Sequence, residues 1–171
     1  LSLLAGLTSE HADWQAGFEG ADTAVQGVLA MYPVVDLTNR HGIRQQARMD
    51  GFIRRKIIQQ TREAAPEVFE DGSPISWIHR EGVAESAPPF FIVQGTHDSL
   101  VWVEEVRRFV AEFAPQTSVP LVYAELPRGQ HAFEIFHSPR TSHFLNAASA
   151  WLEWVRAQHA EKSAASGDRS E

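Results

Sequence analysis

Two residues of this sequence have the side chains and the positions that acid–base chemistry requires. Asp98 and His131 each follow a short apolar segment and come shortly after a glycine, Gly95 and Gly129 respectively. In an open parallel sheet, the loops that leave the carboxyl ends of the strands meet at one crevice, where ligands bind. A carboxylate beside a histidine holds one imidazole tautomer, so that the other ring nitrogen accepts a proton from a hydroxyl. We therefore predict that Asp98 and His131 are the acid and the base of a nucleophile-activating pair.

Each of the two residues also has an ordinary structural explanation. An aspartate in a loop commonly forms a turn through its own backbone, and a histidine after a glycine commonly lies at the surface. The pair is more specific than either residue alone, because both residues follow predicted strands.

The elements that position this pair are predicted from the apolar pattern. Short, continuously apolar segments bounded by proline or glycine are typical of strands buried on both faces of a parallel sheet. Helical spacing of apolar residues predicts amphipathic helices. The predicted strands cover residues 25–31, 90–93 and 119–124, and the predicted helices cover residues 103–114 and 144–155. This alternation of strands and helices predicts an α/β fold.

Three further segments complete the predicted organisation. Residues 1–7 favour a helix that has no capping residue before it, so we expect the chain to enter this helix midway. Residues 38–74 are polar, contain one predicted helix around residues 52–64, and are longer than an ordinary connection, which indicates an insertion. Residues 161–171 have no apolar face, so we predict a disordered tail after a domain of residues 1–160.

The composition excludes several classes of function. A net charge of −7 repels phosphate backbones and anionic membrane surfaces, so we expect no nucleic-acid partner. The chain has no cysteine, which excludes disulfides, thiolate nucleophiles and cysteine-containing zinc sites. No apolar run approaches the roughly 18 residues that span a bilayer, so no membrane span is expected. The absence of a signal peptide favours the cytoplasm, but the sequence begins with Leu1 and we expect its true start to lie upstream.

Three segments resemble a known family. Residues 73–101, which include Asp98, resemble the acid-bearing region of the hormone-sensitive-lipase-like and carboxylesterase branch of the α/β-hydrolase fold. Residues 31–37 are similar to its sixth strand, and residues 129–133 are similar to its histidine loop. The order of acid and then histidine is also that of α/β-hydrolases, in which the serine comes first. The resemblance covers about residues 1–157 and implies the C-terminal half of this fold, with the insertion as a cap or pocket wall.

The same resemblance implies a serine esterase whose nucleophile is not in this sequence. In the family, the helix that resembles residues 1–7 follows the G-x-S-x-G nucleophile elbow, and an HGGG-type oxyanion loop lies further upstream. Neither motif occurs here, since Ser73 lacks the outer glycines and Ser2 lies inside the first predicted helix. We expect a parent protein that hydrolyses short or medium acyl esters without a cofactor, and a chain that is inactive alone. The strand at residues 25–31 would keep an unpaired edge, which predicts pairing with the N-terminal half or self-association.

Some residues have more than one possible role. Asp36 also follows a predicted strand and is an alternative acid, although an aspartate there more often braces a loop. Val101, Trp102 and Phe133 lie near the predicted site, where they either line a substrate pocket or pack in the core.

Other functions are weighed against the esterase. A zinc site of His131, Glu134, His137 and His143 is disfavoured, because the spacing does not match HExxH and residues three and six apart do not share a helix face. A non-catalytic binding protein of the same fold would have no use for both Asp98 and His131. A serine peptidase of the acylaminoacyl or prolyl type shares the fold and the order of the triad, and upstream sequence would distinguish it from an esterase.

Overall fold

Three parallel strands form the centre of the structure. In the computed structural model, which describes residues 1–9, 11–44 and 47–167, they are β1 at Val28–Met31, β2 at Phe90–Gly95 and β3 at Leu121–Leu126. The strands lie in the order β1-β2-β3, and the register pairs Val28 with Phe90 and Phe90 with Leu121. All three carboxyl ends therefore lie at the same edge of the sheet.

The two outer strands begin later than the apolar pattern predicts. The N–H of Val28 donates to the carbonyl of Pro89 at 2.9 Å, and the N–H of Phe90 donates to the carbonyl of Pro120 at 3.0 Å. Proline has no N–H, so the ladders of backbone hydrogen bonds begin directly after Pro89 and Pro120. Val25, where β1 was expected to begin, is instead exposed.

Helices connect and cover these strands. In chain order the structure has α1 at Ser2–Leu7, a 3₁₀ turn at Ala12–Trp14, β1, α2 at Ala47–Phe52, a π-helical segment at Ile53–Ile58, α3 at Pro66–Asp71, α4 at Pro74–Trp77, α5 at Val83–Ser86, β2, α6 at Val103–Phe113, β3, a 3₁₀ turn at Phe133–Ile135 and α7 at Pro139–Gly167. Within the described ranges, no helix is both long enough and apolar enough to cross a membrane.

The sheet is covered on both faces. Side chains alternate along a strand, so Phe90 and Ile92 join the apolar cluster formed with α1 and α6, whereas Phe91 and Val93 join the cluster formed with α7. All six residues of β2 are buried, which explains why this strand is a continuous apolar run in the sequence. The predicted fold class, an α/β fold with parallel strands and flanking helices, is confirmed.

The last helix is longer than the sequence pattern predicts. We expected a helix over residues 144–155 and a disordered tail from residue 161, but α7 runs from Pro139 to Gly167. Residues 161–167 include alanine, glutamate and lysine, which favour helix even without an apolar face. The prediction of a tail was therefore wrong for residues 161–167, and its remainder, residues 168–171, lies outside the described residues.

The segment expected to be an insertion contains short helices that pack on the domain. Its predicted helix at residues 52–64 instead covers residues 47–58, because Gln59 adopts a left-handed conformation with φ 61°. Ile53 is buried, as is Phe69 of α3. Arg44 anchors the segment to α6, since its side chain donates to the buried Glu105 carboxylate at 3.0 Å. A role as a cap or pocket wall stays a prediction.

Candidate active site

The Asp98 carboxylate lies in the loop that leaves the central strand. Its Oδ1 accepts the backbone N–H groups of Leu100 at 2.8 Å and Val101 at 2.9 Å. The side chain is fully buried, and these two donors hold it in one orientation. An exposed aspartate would share its hydrogen bonds with water, whereas this carboxylate is fixed by its own loop.

Gln94 completes the support of this carboxylate, and sequence reasoning missed it. The residue is fully buried in β2, and its Nε2 donates to Asp98 Oδ2 at 3.1 Å and to the carbonyl of Val101 at 2.9 Å. The only signal in the sequence is an amide at the end of an otherwise apolar strand. Because buried amides need partners, such a residue indicates a polar group nearby.

His131 reaches the same carboxylate from the loop after β3. Its Nδ1 donates to Asp98 Oδ2 at 2.9 Å, and its side chain is 28% exposed. A proton on Nδ1 leaves the lone pair on Nε2, so Nε2 is the nitrogen that can take a proton from a hydroxyl. The structure thus brings together the two residues that the sequence analysis selected.

Backbone contacts tie the two loops to each other. The N–H of His97 donates to the carbonyl of Gly129 at 2.9 Å, and the N–H of Thr96 donates to the carbonyl of Leu126 at 3.1 Å. The N–H of Arg128 donates to the Thr96 hydroxyl at 2.8 Å. The distance between acid and histidine is therefore set by paired backbone and does not depend on flexible side chains alone.

Tyr32 and Glu134 also lie beside the imidazole. The ring centroids of Tyr32 and His131 are 4.1 Å apart, and the phenol of Tyr32 donates to Glu134 Oε1 at 2.5 Å. Burial, together with the Glu134 carboxylate, raises the pKa of Tyr32 to about 12, so the phenol stays protonated at neutral pH. The sequence analysis considered Glu134 only as a metal ligand, and no local signal links it to a tyrosine so distant in the chain.

Asp36, the alternative acid, has other partners. Its carboxylate accepts the N–H of Thr38 at 2.8 Å, the hydroxyl of Thr38 at 2.6 Å and the N–H of Arg40 at 2.7 Å. The structure does not bring it to His131, because these bonds hold it within its own loop. Assigning Asp36 as the acid is therefore corrected to a loop-bracing role, as is common for aspartates after strands.

The residues considered for a substrate pocket occupy different environments. Phe133 is buried and packs against Phe144, with ring centroids 5.3 Å apart. Val101 is buried in the acid loop, and Trp102 is half-buried directly before α6. A role for any of them in binding substrate stays a prediction.

The four residues weighed as zinc ligands do not form a ligand set. In the described part of the chain, no three or more histidine, aspartate or glutamate side chains are arranged to hold a metal ion. His131 instead pairs with Asp98, and Glu134 pairs with Tyr32.

Comparison with known families and proteins shows which family the sequence matches. The family described as BD-FAE matches residues 1–113, a range that includes Asp98 and ends before His131. A probable carboxylic ester hydrolase of Mycobacterium tuberculosis, LipM, is 39% identical over 161 residues, which are 94% of this chain and 36% of that protein. The esterase LipC of the same organism is 35% identical over 94% of this chain and 39% of that protein. The chain thus spans less than two fifths of the length of these curated relatives.

Solved structures of similar fold include proteins named as esterases. A thermophilic esterase of Thermogutta terrifontis with bound butyrate is 18% identical and superposes with a TM-score of 0.57. The superposition covers 82% of this chain and 46% of the esterase chain. A truncated carbohydrate esterase from gut microbiota is 15% identical, covers 87% of this chain and 54% of its own, and has a TM-score of 0.62. At these identities the similarity shows a shared α/β-hydrolase fold.

Proposed function

This chain belongs to the BD-FAE family, and we propose that it is the carboxyl-terminal part of a serine esterase, to which it contributes the acid Asp98 and the base His131. The observation that carries this proposal is the 2.9 Å contact between His131 Nδ1 and a buried Asp98 carboxylate at the carboxyl edge of a parallel sheet. Family membership and the resemblance to named esterases support it.

In the proposed reaction, a serine from the upstream part of the protein attacks the carbonyl carbon of an ester. His131 takes the hydroxyl proton on Nε2 as the new C–O bond forms, and the Asp98 carboxylate stabilises the resulting imidazolium. The bond to the alcohol then breaks, and His131 returns the proton to the leaving oxygen. Water hydrolyses the acyl-enzyme by the same steps, and upstream backbone amides would hold the oxyanion.

The decisive experiment labels the full-length protein with a fluorophosphonate, which reacts with activated serines. We expect labelling at an upstream serine, hydrolysis of an activated acetate ester, and loss of both on His131→Ala. His143→Ala is the matched control, because His143 is exposed on α7 and should leave labelling unchanged. A full-length protein that neither reacts with the probe nor hydrolyses the ester would contradict the esterase and favour a binding protein.

The proposed partner of this chain is the upstream part of the same protein. Within the described residues β1 pairs only with β2, so one edge of Val28–Met31 has no strand beside it. An unpaired edge tends to recruit another strand, which here would be supplied by the parent or by a second copy. We expect the isolated chain to associate on gel filtration and to remain unlabelled by the probe. A soluble monomer would contradict this pairing.

The inserted segment is proposed as a wall of the substrate pocket. Phe52 and Ile57 belong to its helices and are 51% and 53% exposed. Exposed apolar side chains of this kind would fit the acyl part of an ester if they line the substrate pocket. Phe52→Ser is expected to raise KM for a medium-chain ester more than for an acetate. Equal effects on both esters would contradict this role.

A further inference from the structure

Tyr32 has an unusual backbone at a position that matters for the site. It directly follows β1, and its N–H donates to the carbonyl of Val93 on β2 at 2.8 Å. Its φ of 38° lies in the left-handed region, which bulky side chains rarely adopt. Strained backbone of this kind persists where surrounding structure holds it, often beside a functional site. The strained conformation accompanies a ring placed against His131.

The tyrosine is also tied to the loop that carries the histidine. Its phenol donates to Glu134, which belongs to the 3₁₀ turn at Phe133–Ile135. The second oxygen of Glu134 is buried and has no hydrogen-bond partner among the described residues, so the phenol is the only described donor to this carboxylate. The ring of Tyr32 therefore cannot leave His131 without breaking a bond between β1 and the histidine loop.

We propose that Tyr32 and Glu134 form a clamp that positions the His131 imidazole for the reaction proposed above. The contact with Asp98 fixes one ring nitrogen but leaves the imidazole free to turn about that bond. The Tyr32 ring, 4.1 Å away and tilted by 50°, restricts this turn by contacting the ring itself. Nε2 of His131 is then held in one orientation. Even small displacements of a reacting group lower the rate of a reaction substantially.

The clamp also affects the charge that forms during the reaction. The described groups that face the imidazole are the Asp98 carboxylate, the Tyr32 ring and, through the phenol, the Glu134 carboxylate. An aromatic face attracts a cation, so the ring stabilises the imidazolium. Removing the ring should therefore lower the maximal rate.

Substitutions in the full-length protein test the clamp, with an activated acetate ester as substrate. Tyr32→Phe keeps the ring and loses the bond to Glu134, and should lower kcat about 3- to 10-fold with KM unchanged. Tyr32→Leu loses the ring as well and should lower kcat on the order of 100-fold. Glu134→Ala should match Tyr32→Phe, and the double variant should lose no more than either one.

The chain offers a matched control. Its other tyrosine, Tyr123, lies on β3, is also partly buried and donates its phenol to Glu125 at 2.9 Å. Glu125 in turn forms an ion pair with Arg107. Tyr123→Phe should leave kcat unchanged. If Tyr32→Leu does not fold, Tyr32→Phe and Glu134→Ala decide the question. Wild-type kcat in both, or effects that Tyr123→Phe reproduces, would overturn the clamp.

A measurement that needs no turnover separates this inference from the proposed function. A proton held between His131 Nδ1 and Asp98 gives a downfield NMR signal, which we expect in the wild-type protein and in Tyr123→Phe but broadened in Tyr32→Leu. If the full-length protein is inactive but its signal depends on Tyr32, the esterase proposal is overturned and the clamp is supported. If the full-length protein is active but its signal is unchanged in Tyr32→Leu, the clamp is overturned and the esterase proposal is supported.

Discussion

The backbone of Gly95 lies directly against that of Gly129, so closely that a β-carbon on Gly95 would come within 2.6 Å of the Gly129 carbonyl carbon. These two glycines join the loop of the acid to the loop of the histidine. Neither has a left-handed φ, so the approach itself, rather than conformational freedom, requires the absence of a side chain.

Gly95→Ala should therefore separate the two loops. The clash is with backbone, which side-chain rotation cannot relieve, so we expect a loss of about 1–3 kcal/mol in unfolding free energy. Esterase activity should fall further than stability explains, because Asp98 and His131 are moved apart. Chemical unfolding and kcat of the full-length protein measure the two effects. Ser99→Ala, an exposed change in the same loop, is the control, and equal behaviour of the two variants would contradict the prediction.

The same substitution at two buried aspartates should have opposite consequences. Asp98→Asn removes the charge that orients and stabilises the imidazolium, and should lower kcat by roughly three to four orders of magnitude. Asp36→Asn weakens the bracing of its own loop, and should cost about 1–2 kcal/mol of stability while leaving kcat within a few-fold. Steady-state kinetics beside thermal unfolding measures both. A larger loss of kcat in Asp36→Asn would restore Asp36 as the acid.

Gln94→Met tests the support of the acid. Methionine has a similar volume but donates no hydrogen bond. The buried carbonyl of Val101 therefore loses its partner, and the Asp98 carboxylate loses one of its donors. We expect a loss of about 1–3 kcal/mol in stability and a lower kcat. Ile92→Met, equally buried in the same strand, should cost under about 1.5 kcal/mol and leave kcat unchanged. Indistinguishable variants would show that the amide has no special role.

Stability should depend on pH through Glu105. Burial, which outweighs attraction to Arg44, raises the pKa of this carboxyl from 4.5 to about 7. A group with a raised folded pKa stabilises the fold fully below its unfolded pKa, and this contribution is lost as the pH rises through the folded value. We expect up to about 3 kcal/mol to be lost between pH 4.5 and 8.

Unfolding free energies at several pH values check this dependence. Glu105→Gln should flatten it, because the amide does not titrate. The exposed neighbour provides the control, and Glu104→Gln should retain the dependence of the wild-type protein. A Glu105→Gln variant that loses stability as steeply as wild type would mean that another group is responsible.

The sequence was informative where local pattern and position coincide. Continuous apolar runs ended by proline or glycine predicted all three strands, and β2 is the one among them that is buried along its whole length. Asp98 and His131 were found because parallel strands bring their following loops to one edge. Both inferences use only neighbours in the sequence and a general rule of topology.

What the sequence did not reveal depends on tertiary contacts. Tyr32 and Glu134 are far apart in the chain, and neither carries a local sign of the other. The amide of Gln94 has the same local pattern whether it supports a carboxylate or not. Residues 161–167 combine helix-favouring composition with no apolar face, which is compatible with a helix or with a disordered tail. For Tyr32, Glu134 and Gln94, the deciding contact comes from a residue that the local sequence pattern does not indicate.

Asp98 and His131 follow neighbouring strands, β2 and β3, so the spacing of these strands helps to set the distance between the two residues. Adjacent strands lie about 4.8 Å apart, because backbone hydrogen bonds impose this spacing whatever the side chains are. The distance between Asp98 and His131 is thus determined in part by the pairing of β2 with β3. The segment between β1 and β2 can therefore vary in sequence without changing the spacing of the two strands that carry Asp98 and His131.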